Sequence, residues 1–313
     1  MSSSLDTEKK ISVIVPCFNE ENNLDKFLKR LSYSLNEIKL DYNIIFIDDG
    51  SSDNTWGKIS SFANNNDKIT SIKLSRNFGQ EYALKVGIDN ANGDYIFSLD
   101  ADLQDPPELL REMIIKMKNE NLNVVYAQRT KNNENFFKKY SSYFFYFIFN
   151  KVCKFKIPQQ VSDFKLIDKK ILNELKKIQE NDIFFRGLIP WTGFKSGFVK
   201  FERQKRLYGK TGMTVSSMID HALRGIFNFS NFPMRVSFFI TTLMIFIFAI
   251  ISLYALISYF SGNVIRGWTS ILLVISFLSI AIFFILGLIS EYVGRIYQEV
   301  KKRPQYIIED KIN

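Results

Sequence analysis

The chain has 313 residues, a net charge of +9 and an apolar share of 46%, which allows one large domain or two small ones. Its two cysteines and single histidine argue against a disulfide framework and against a zinc site, so a bound metal should be a hard ion held by carboxylates. Much of the basic excess lies beside two apolar runs near the C-terminus, which favours lipid headgroups over nucleic acid as its partner.

The first two thirds of the chain predict an α/β domain. Residues 1–10 are polar, contain no signal peptide and are expected to be disordered. Strands are predicted at five short runs rich in branched and aromatic residues: Ile11–Val15, Asn43–Ile47, Ile69–Leu74, Tyr95–Leu99 and Val124–Ala127. A helix between the first two is predicted by an apolar stripe: Leu24, Phe27, Leu28, Leu31, Leu35 and Ile38. Strands separated by helices predict a mostly parallel sheet over residues 11–200, whose ligands bind at the carboxyl ends of the strands.

Acidic residues follow the predicted strands at the points where ligands are expected. Asp100 and Asp102 leave the fourth strand at alternate positions and can aim two carboxylates at one point, which suits Mg²⁺ or Mn²⁺ with a diphosphate. A solvated turn is the alternative interpretation. Asp49, after the second strand, can accept hydrogen bonds from a nucleobase or a ribose, or it can belong to a turn and helix-cap cluster.

Two runs without charged residues, 236–260 and 269–290, are each long enough to cross a membrane as a helix. The segments around them are predicted to be juxtamembrane amphipathic helices, a short extracytoplasmic loop and a basic cytoplasmic tail, at 201–235, 261–268 and 291–313. Basic residues are concentrated outside the two runs, and the short loop carries only Arg266. This asymmetry predicts a multi-pass cell-membrane protein with both termini in the cytoplasm.

Four motifs together resemble a known enzyme family. They are Val-Pro-Cys-Phe-Asn-Glu-Glu at 15–21, Asp-Asp-Gly-Ser-Ser-Asp at 48–53, Ser-Arg-Asn-Phe-Gly-Gln-Glu at 75–81 and Asp-Ala-Asp-Leu-Gln-Asp-Pro-Pro-Glu at 100–108. This series is similar to family 2 glycosyltransferases of the GT-A fold, within them to the polyprenyl-phosphate branch of bactoprenol glucosyltransferases and dolichyl-phosphate mannose synthases. Residues 262–268, 291–299 and 302–304 resemble the bactoprenol pattern. The resemblance runs from about Ile11 to Ile308 and implies a Rossmann-like GT-A domain followed by a two-helix transmembrane hairpin.

The resemblance also implies roles for individual residues. Those expected to bind the nucleotide sugar are Pro16, Asn19, Glu20, Asp49, Asp100 and Gln104. Asp100 and Asp102 would hold the metal, and Asp102 would act in catalysis. The acceptor phosphate would be held by Arg129, Lys138 and Ser142. A solvated basic face is the alternative for Arg129 and Lys138.

Asp163 is the other candidate catalytic residue. It lies in Ser162-Asp163-Phe164-Lys165-Leu166, where the family has Gly-Asp-Phe-Arg-Leu. It would be a general base, or it would orient the acceptor or a sugar hydroxyl, because a phosphate acceptor is mostly dianionic at neutral pH. A capping or ion-pairing aspartate is the alternative. Lys165 in place of arginine loses a bidentate contact.

The implied reaction is a metal-dependent, inverting transfer of a hexose to polyprenyl (undecaprenyl) phosphate at the cytoplasmic face of the membrane. UDP-glucose is the favoured donor, with GDP-mannose and amino sugars as alternatives, and the cofactor would be Mg²⁺ or Mn²⁺. The sequence leaves open whether the protein forms a homo-oligomer. A membrane scaffold with an inactive transferase domain is a non-enzymatic alternative. A processive polysaccharide synthase predicts a Gln-x-x-Arg-Trp element and more spans, and the sequence has neither.

Overall fold

The computed structural model describes residues 9–130, 155–202, 204, 232–260 and 267–313. The chain divides into two compact units, the first of Met1–Ala222 with Pro304–Asn313 and the second of Leu223–Arg303. The predicted acceptor residues Lys138 and Ser142 lie outside the described residues, as does most of the predicted juxtamembrane segment 201–235.

An eight-stranded sheet forms the centre of the first unit. Its strands are β1 Lys10–Cys17, β2 Asp41–Asp48, β3 Ile69–Leu74, β4 Tyr95–Ser98, β5 Val124–Arg129, β6 Val161–Asp168, β7 Ser196–Phe201 and β8 Ile308–Ile312. They lie in the order β7-β5-β6-β4-β1-β2-β3-β8. The first five strands and β7 run in one direction, whereas β6 and β8 are antiparallel to their neighbours. The predicted α/β class with a mostly parallel sheet is therefore confirmed.

Six α-helices accompany the sheet in the described part of this unit. They are α1 Leu24–Ile38, α2 Thr55–Asn64, α3 Gln80–Asn90, α4 Leu110–Asn119, α5 Lys169–Lys177 and α6 Phe185–Trp191. Helix α1 covers the predicted apolar stripe, whose members are buried apart from the half-buried Leu28. Strand β1 is buried from Ile11 to Cys17 without alternation, which is typical of a parallel strand covered on both faces.

The edge of the sheet at which β1, β2, β4 and β5 end is called the carboxyl edge below. Because β6 is antiparallel, its first residues lie at this edge, and Ser98 at the end of β4 pairs with Lys165. Strand β7 is parallel to β5 and also ends there. Strand β8 begins there, with Ile308 opposite Leu74. The carboxyl edge therefore contains the ends of the parallel strands and the starts of the two antiparallel strands, β6 and β8.

Strand β8 was not predicted, because the segment 291–313 was interpreted as a basic tail. It pairs with the edge strand β3, and the Glu309 carboxylate lies 3.0 Å from Nζ of Lys73. Just before it, the Tyr306 hydroxyl donates to Oδ2 of Asp89 at 3.0 Å. Three charged residues between two isoleucines hide the strand pattern from sequence reasoning.

The second unit contains two long helices, α7 Phe232–Phe260 and α8 Trp268–Lys301. They cover both predicted spans, and α8 continues past Ser290 to Lys301. Among the described residues one segment, Phe277–Lys301, is long and apolar enough to cross a membrane, and a shorter apolar stretch, Phe238–Ile251, lies in α7. That both helices cross a membrane stays a prediction.

Candidate active site

Three carboxylates gather in the turn after β4. Asp102 and Asp105 are only 4% and 1% exposed, and Asp100 is half-buried. Leu103 has a positive φ of 62°, a left-handed conformation that turns the chain back on itself. The backbone N–H of Gln104 donates to Oδ1 of Asp102 at 3.1 Å and holds that side chain inside the turn. The turn thus holds two buried carboxylates and one half-buried carboxylate within residues 100–105.

The electrostatics of this turn favour a bound cation. Burial, together with the charges of Asp105, Asp163 and Asp102, raises the pKa of Asp100 to about 8. Crowded carboxylates of this kind are relieved by a divalent ion. Asp100 and Asp102 fit Mg²⁺ or Mn²⁺, which can take one or two protein carboxylates and complete their coordination with phosphate oxygens and water. The proposed site uses two protein carboxylates, because no group of three or more acidic, His or Cys side chains that could hold a metal occurs in the described ranges.

Asp163 reaches the same cluster from the start of β6. Its Oδ1 lies 2.9 Å from Nζ of Lys165, and its Oδ2 lies 3.4 Å from Nη2 of Arg186. Burial raises the pKa of Asp163, but the charges and hydrogen bonds of the two cations outweigh burial and hold it below the ordinary value. Asp163 is therefore an ion-paired carboxylate and a weak base. Lys165, which stands where the family has arginine, contacts Asp163 through its ammonium group, and Arg186 adds a guanidinium contact.

Two residues at the start of α3 complete the cluster. Nε2 of Gln80 donates to Oδ1 of Asp100 at 2.8 Å, and Oε2 of Glu81 accepts the backbone N–H of Phe185 at 3.0 Å. Sequence reasoning did not select these residues, although both end the third motif. It also missed Arg186, for which the sequence holds no local signal because α6 meets the cluster only in the folded chain.

The predicted nucleotide residues Asn19 and Glu20 connect two loops. The N–H of Asn19 donates to Oγ of Ser51 at 2.9 Å, and its Oδ1 accepts the N–H of Ser52 at 2.8 Å. The N–H of Glu20 donates to Oγ1 of Thr55 at 2.9 Å. These bonds join the loops after β1 and β2 at the carboxyl edge. Pro16, the last but one residue of β1, is buried beside them. Nucleotide contact by these residues stays a prediction.

Asp49 holds the loop that leads into α3. Its Oδ1 accepts the N–H of Phe78 at 2.7 Å, and its Oδ2 accepts the N–H of Gly79 at 2.9 Å. Burial raises its pKa above the ordinary value, although the two backbone bonds act in the opposite direction. Gly50 is needed beside it, because a Cβ there would lie 2.4 Å from the carbonyl carbon of Arg76 and φ is +67°. Asp49 thus shapes the site, whatever ligand it contacts.

Two further candidates lie at the same edge. Arg129 ends β5, is half-buried, and donates its N–H to the carbonyl of Gln160 at 3.1 Å. Gln104 donates from Nε2 to the carbonyl of Gln204 at 3.2 Å, and the N–H of Gln204 donates back to the Gln104 carbonyl at 3.2 Å. The structure therefore brings the described candidates to the carboxyl edge.

Residues 12–176 match the model of glycosyl transferase family 2. The chain belongs to this family. It is 37% identical over 303 residues to an uncharacterized glycosyltransferase of Synechocystis sp., covering 96% of this chain and 95% of the relative. It is 35% identical over 303 residues to a prophage bactoprenol glucosyl transferase homolog of Escherichia coli, covering 96% and 98%. The resemblance inferred from the four motifs is thereby confirmed.

A solved mannosyltransferase of Pyrobaculum calidifontis in complex with GDP-Man and Mn²⁺ is structurally similar to this glycosyltransferase. The TM-score is 0.49 at 15% identity, over 70% of this chain and 64% of that chain.

Proposed function

We propose that this glycosyltransferase transfers a hexose, glucose from UDP-glucose in the first instance, to polyprenyl (undecaprenyl) phosphate at the cytoplasmic face of a membrane. A phosphate oxygen of the lipid attacks the anomeric carbon, and the bond from that carbon to the nucleoside diphosphate breaks. One displacement inverts the anomeric configuration. The products are a polyprenyl-phosphate sugar and the nucleoside diphosphate.

The observation that carries the proposal is the acidic turn after β4 at the carboxyl edge. Family 2 membership assigns sugar transfer to the chain, and the raised pKa of Asp100 supports a cation held with Asp102. When bound, Mg²⁺ or Mn²⁺ supplies positive charge that stabilises the departing diphosphate. Gln80 positions the Asp100 carboxylate through their hydrogen bond, and the N–H of Gln104 positions Asp102.

Asp163 acts as a positioning carboxylate in this proposal. Its lowered pKa makes it a poor proton acceptor, and a phosphate monoester with a second pKa of about 6 needs no base at neutral pH. Arg129, together with Lys138 and Ser142 of the segment beyond the described residues, would hold the acceptor phosphate. Two cations and a hydroxyl suit a dianion that must approach a negatively charged donor.

The lipid acceptor and the membrane hairpin belong to the same proposal. The names of the relatives include bactoprenol, which supports a polyprenyl carrier. The apolar segment Phe277–Lys301 and the apolar stretch of α7 support a two-span anchor. The basic residues outside the two apolar runs support an orientation with both termini in the cytoplasm. The chain leaves the sheet after β7 and rejoins it at β8, and both points lie at the carboxyl edge.

The test uses the full chain, purified in detergent, with undecaprenyl phosphate and Mn²⁺. Radiolabelled UDP-glucose, GDP-mannose and UDP-N-acetylglucosamine are supplied separately, and lipid-extractable label is measured. We expect label from UDP-glucose, its loss with EDTA, and losses of about 100-fold or more in Asp100→Asn and Asp102→Asn. Asp67→Asn, an exposed carboxylate after α2, is the matched control and should keep full activity.

Each other outcome has a defined meaning. Label from a different nucleotide sugar would correct the donor and keep the reaction class. Binding of a nucleotide sugar without any transfer would support the scaffold alternative. Full activity in EDTA, or in both aspartate variants, would overturn the proposed site.

A further inference from the structure

Helix α6 begins without a cap of its own. The residue before it, Phe184, provides no side-chain hydrogen bond to the first turn. The first N–H of the helix, that of Phe185, is instead taken by the Glu81 carboxylate of α3 at 3.0 Å. Since a helix start leaves backbone donors unsatisfied, this bond fixes where α6 begins.

The same turn of α3 holds the loop before α6 a second time. The Tyr82 hydroxyl donates to the carbonyl of Asn181 at 2.6 Å. Glu81 and Tyr82 therefore hold the segment Asn181–Phe185 at its two ends. The segment has little freedom to shift relative to α3 while both bonds are present.

Arg186 directly follows the residue that Glu81 holds. Its Nη2 lies 3.4 Å from Oδ2 of Asp163, and its charge opposes the rise in the pKa of Asp100. A displacement of α6 would move this guanidinium away from both carboxylates. Misplacement of a charged group by about 1 Å can cost about 100-fold in rate.

We propose that Glu81 is a positioning residue, which anchors α6 through Phe185 and thereby holds Arg186 against the carboxylates of the site. The inference rests on the proposed function, because the role that it gives Arg186 is a role in the proposed sugar transfer. Glu81 itself contacts no reacting atom in this scheme. What it supplies is a hydrogen-bond acceptor at a defined place, and the negative charge is secondary.

The test is a double-mutant cycle with a rescue variant. Glu81→Ala, Arg186→Ala and the double variant are compared with Glu81→Gln, whose amide oxygen can still accept the Phe185 N–H. We expect Glu81→Ala to lower kcat by about 10- to 100-fold with a small change in donor KM, and Glu81→Gln to stay within about threefold of wild type. The double variant should match Arg186→Ala within about twofold, since Glu81 acts through Arg186.

Glu112→Ala is the matched control, because Glu112 is also an acidic residue in the first turn of a helix, α4. Its activity should equal that of wild type, which separates the anchor from a general helix-terminus effect. Thermal unfolding is recorded for every variant, and Glu81→Met replaces Glu81→Ala if the latter does not fold. Losses that multiply in the double variant, or a loss in Glu81→Gln as large as in Glu81→Ala, would overturn the inference.

The cycle can be read independently of the lipid acceptor. If the wild-type protein makes no glycolipid, the proposed function fails. The same variants can then be compared by hydrolysis of the nucleotide sugar, and non-multiplying losses there still support the link between Glu81 and Arg186. If the wild-type protein makes the glycolipid but the rate losses of the two single variants multiply in the double variant, only the link between Glu81 and Arg186 is overturned.

Discussion

Asp163 lies between two cations, and this placement decides its chemistry. Because Lys165 and Arg186 hold its pKa below the ordinary value, the carboxylate stays ionised through the pH range of an assay. We therefore expect the acidic limb of the pH–rate profile, near pH 6, to report the second ionisation of the phosphate acceptor. Asp163→Asn should lower kcat and keep the acidic limb of the profile. Loss of that limb in Asp163→Asn would identify the aspartate as the titrating base.

Glu81 predicts a pH dependence of stability. Burial, followed by the charge of Asp163, raises its pKa from 4.5 to about 7. Since the folded-state pKa is raised, the protonated form stabilises the fold below about pH 4.5, and this contribution is lost as the pH rises through about 7. Glu81→Gln imitates the protonated form. Denaturant unfolding should show equal stability at pH 4.5 and an advantage for Glu81→Gln of about 1–3 kcal/mol at pH 8. Equal stabilities at pH 8 would contradict this reading.

The loops after β2 and β3 approach so closely that only glycine fits between them. Gly50, in the loop after β2, has a positive φ of 67°, and Gly193, which follows helix α6, has a positive φ of 73°. A Cβ at Gly50 would collide with the Arg76 backbone, whereas at Gly193 nothing lies within 4 Å. Gly193→Ala should cost about 1 kcal/mol of unfolding free energy, and Gly50→Ala about 3 kcal/mol or more. Chemical denaturation compares them, and equal losses would show that the loops can separate.

Sequence reasoning placed the first five strands, β1 to β5, within a few residues, because those strands are largely buried and appear in the sequence as short apolar runs. It missed β6, where Asp163 and Lys165 interrupt the apolar pattern with a buried ion pair. It missed β7, whose alternate residues are exposed. The prediction of the site residues was limited in the same way, because it could use only the order of residues along the chain. Acidic residues at strand ends could be located from the chain order, whereas Arg186 joins them only through the packing of α6 against the start of α3.

The C-terminal strand closes one side of the sheet. An uncovered β3 would expose a row of unpaired backbone groups, which invites association with other chains. We expect a chain that ends at Arg303 to unfold at a temperature several degrees lower and to associate in solution, as measured by calorimetry and light scattering. Glu309→Ala is the control, since it removes only the exposed ion pair with Lys73 and should cost less than about 1 kcal/mol. A truncated chain that stays monomeric with an unchanged unfolding temperature would show that β8 adds nothing.

The reversal of β6 has a consequence for how such enzymes diversify. Arg129 and Gln160 are joined by a backbone hydrogen bond at the carboxyl edge, so the stretch of chain between them departs and returns at nearly one point. A stretch attached in this way can change its length and composition without altering the register of any strand. If residues 131–154 hold the lipid acceptor as proposed, grafting them from a relative with a different carrier should exchange lipid preference. Donor preference, which the proposed function assigns to the loops after β1, β2 and β4, should stay the same.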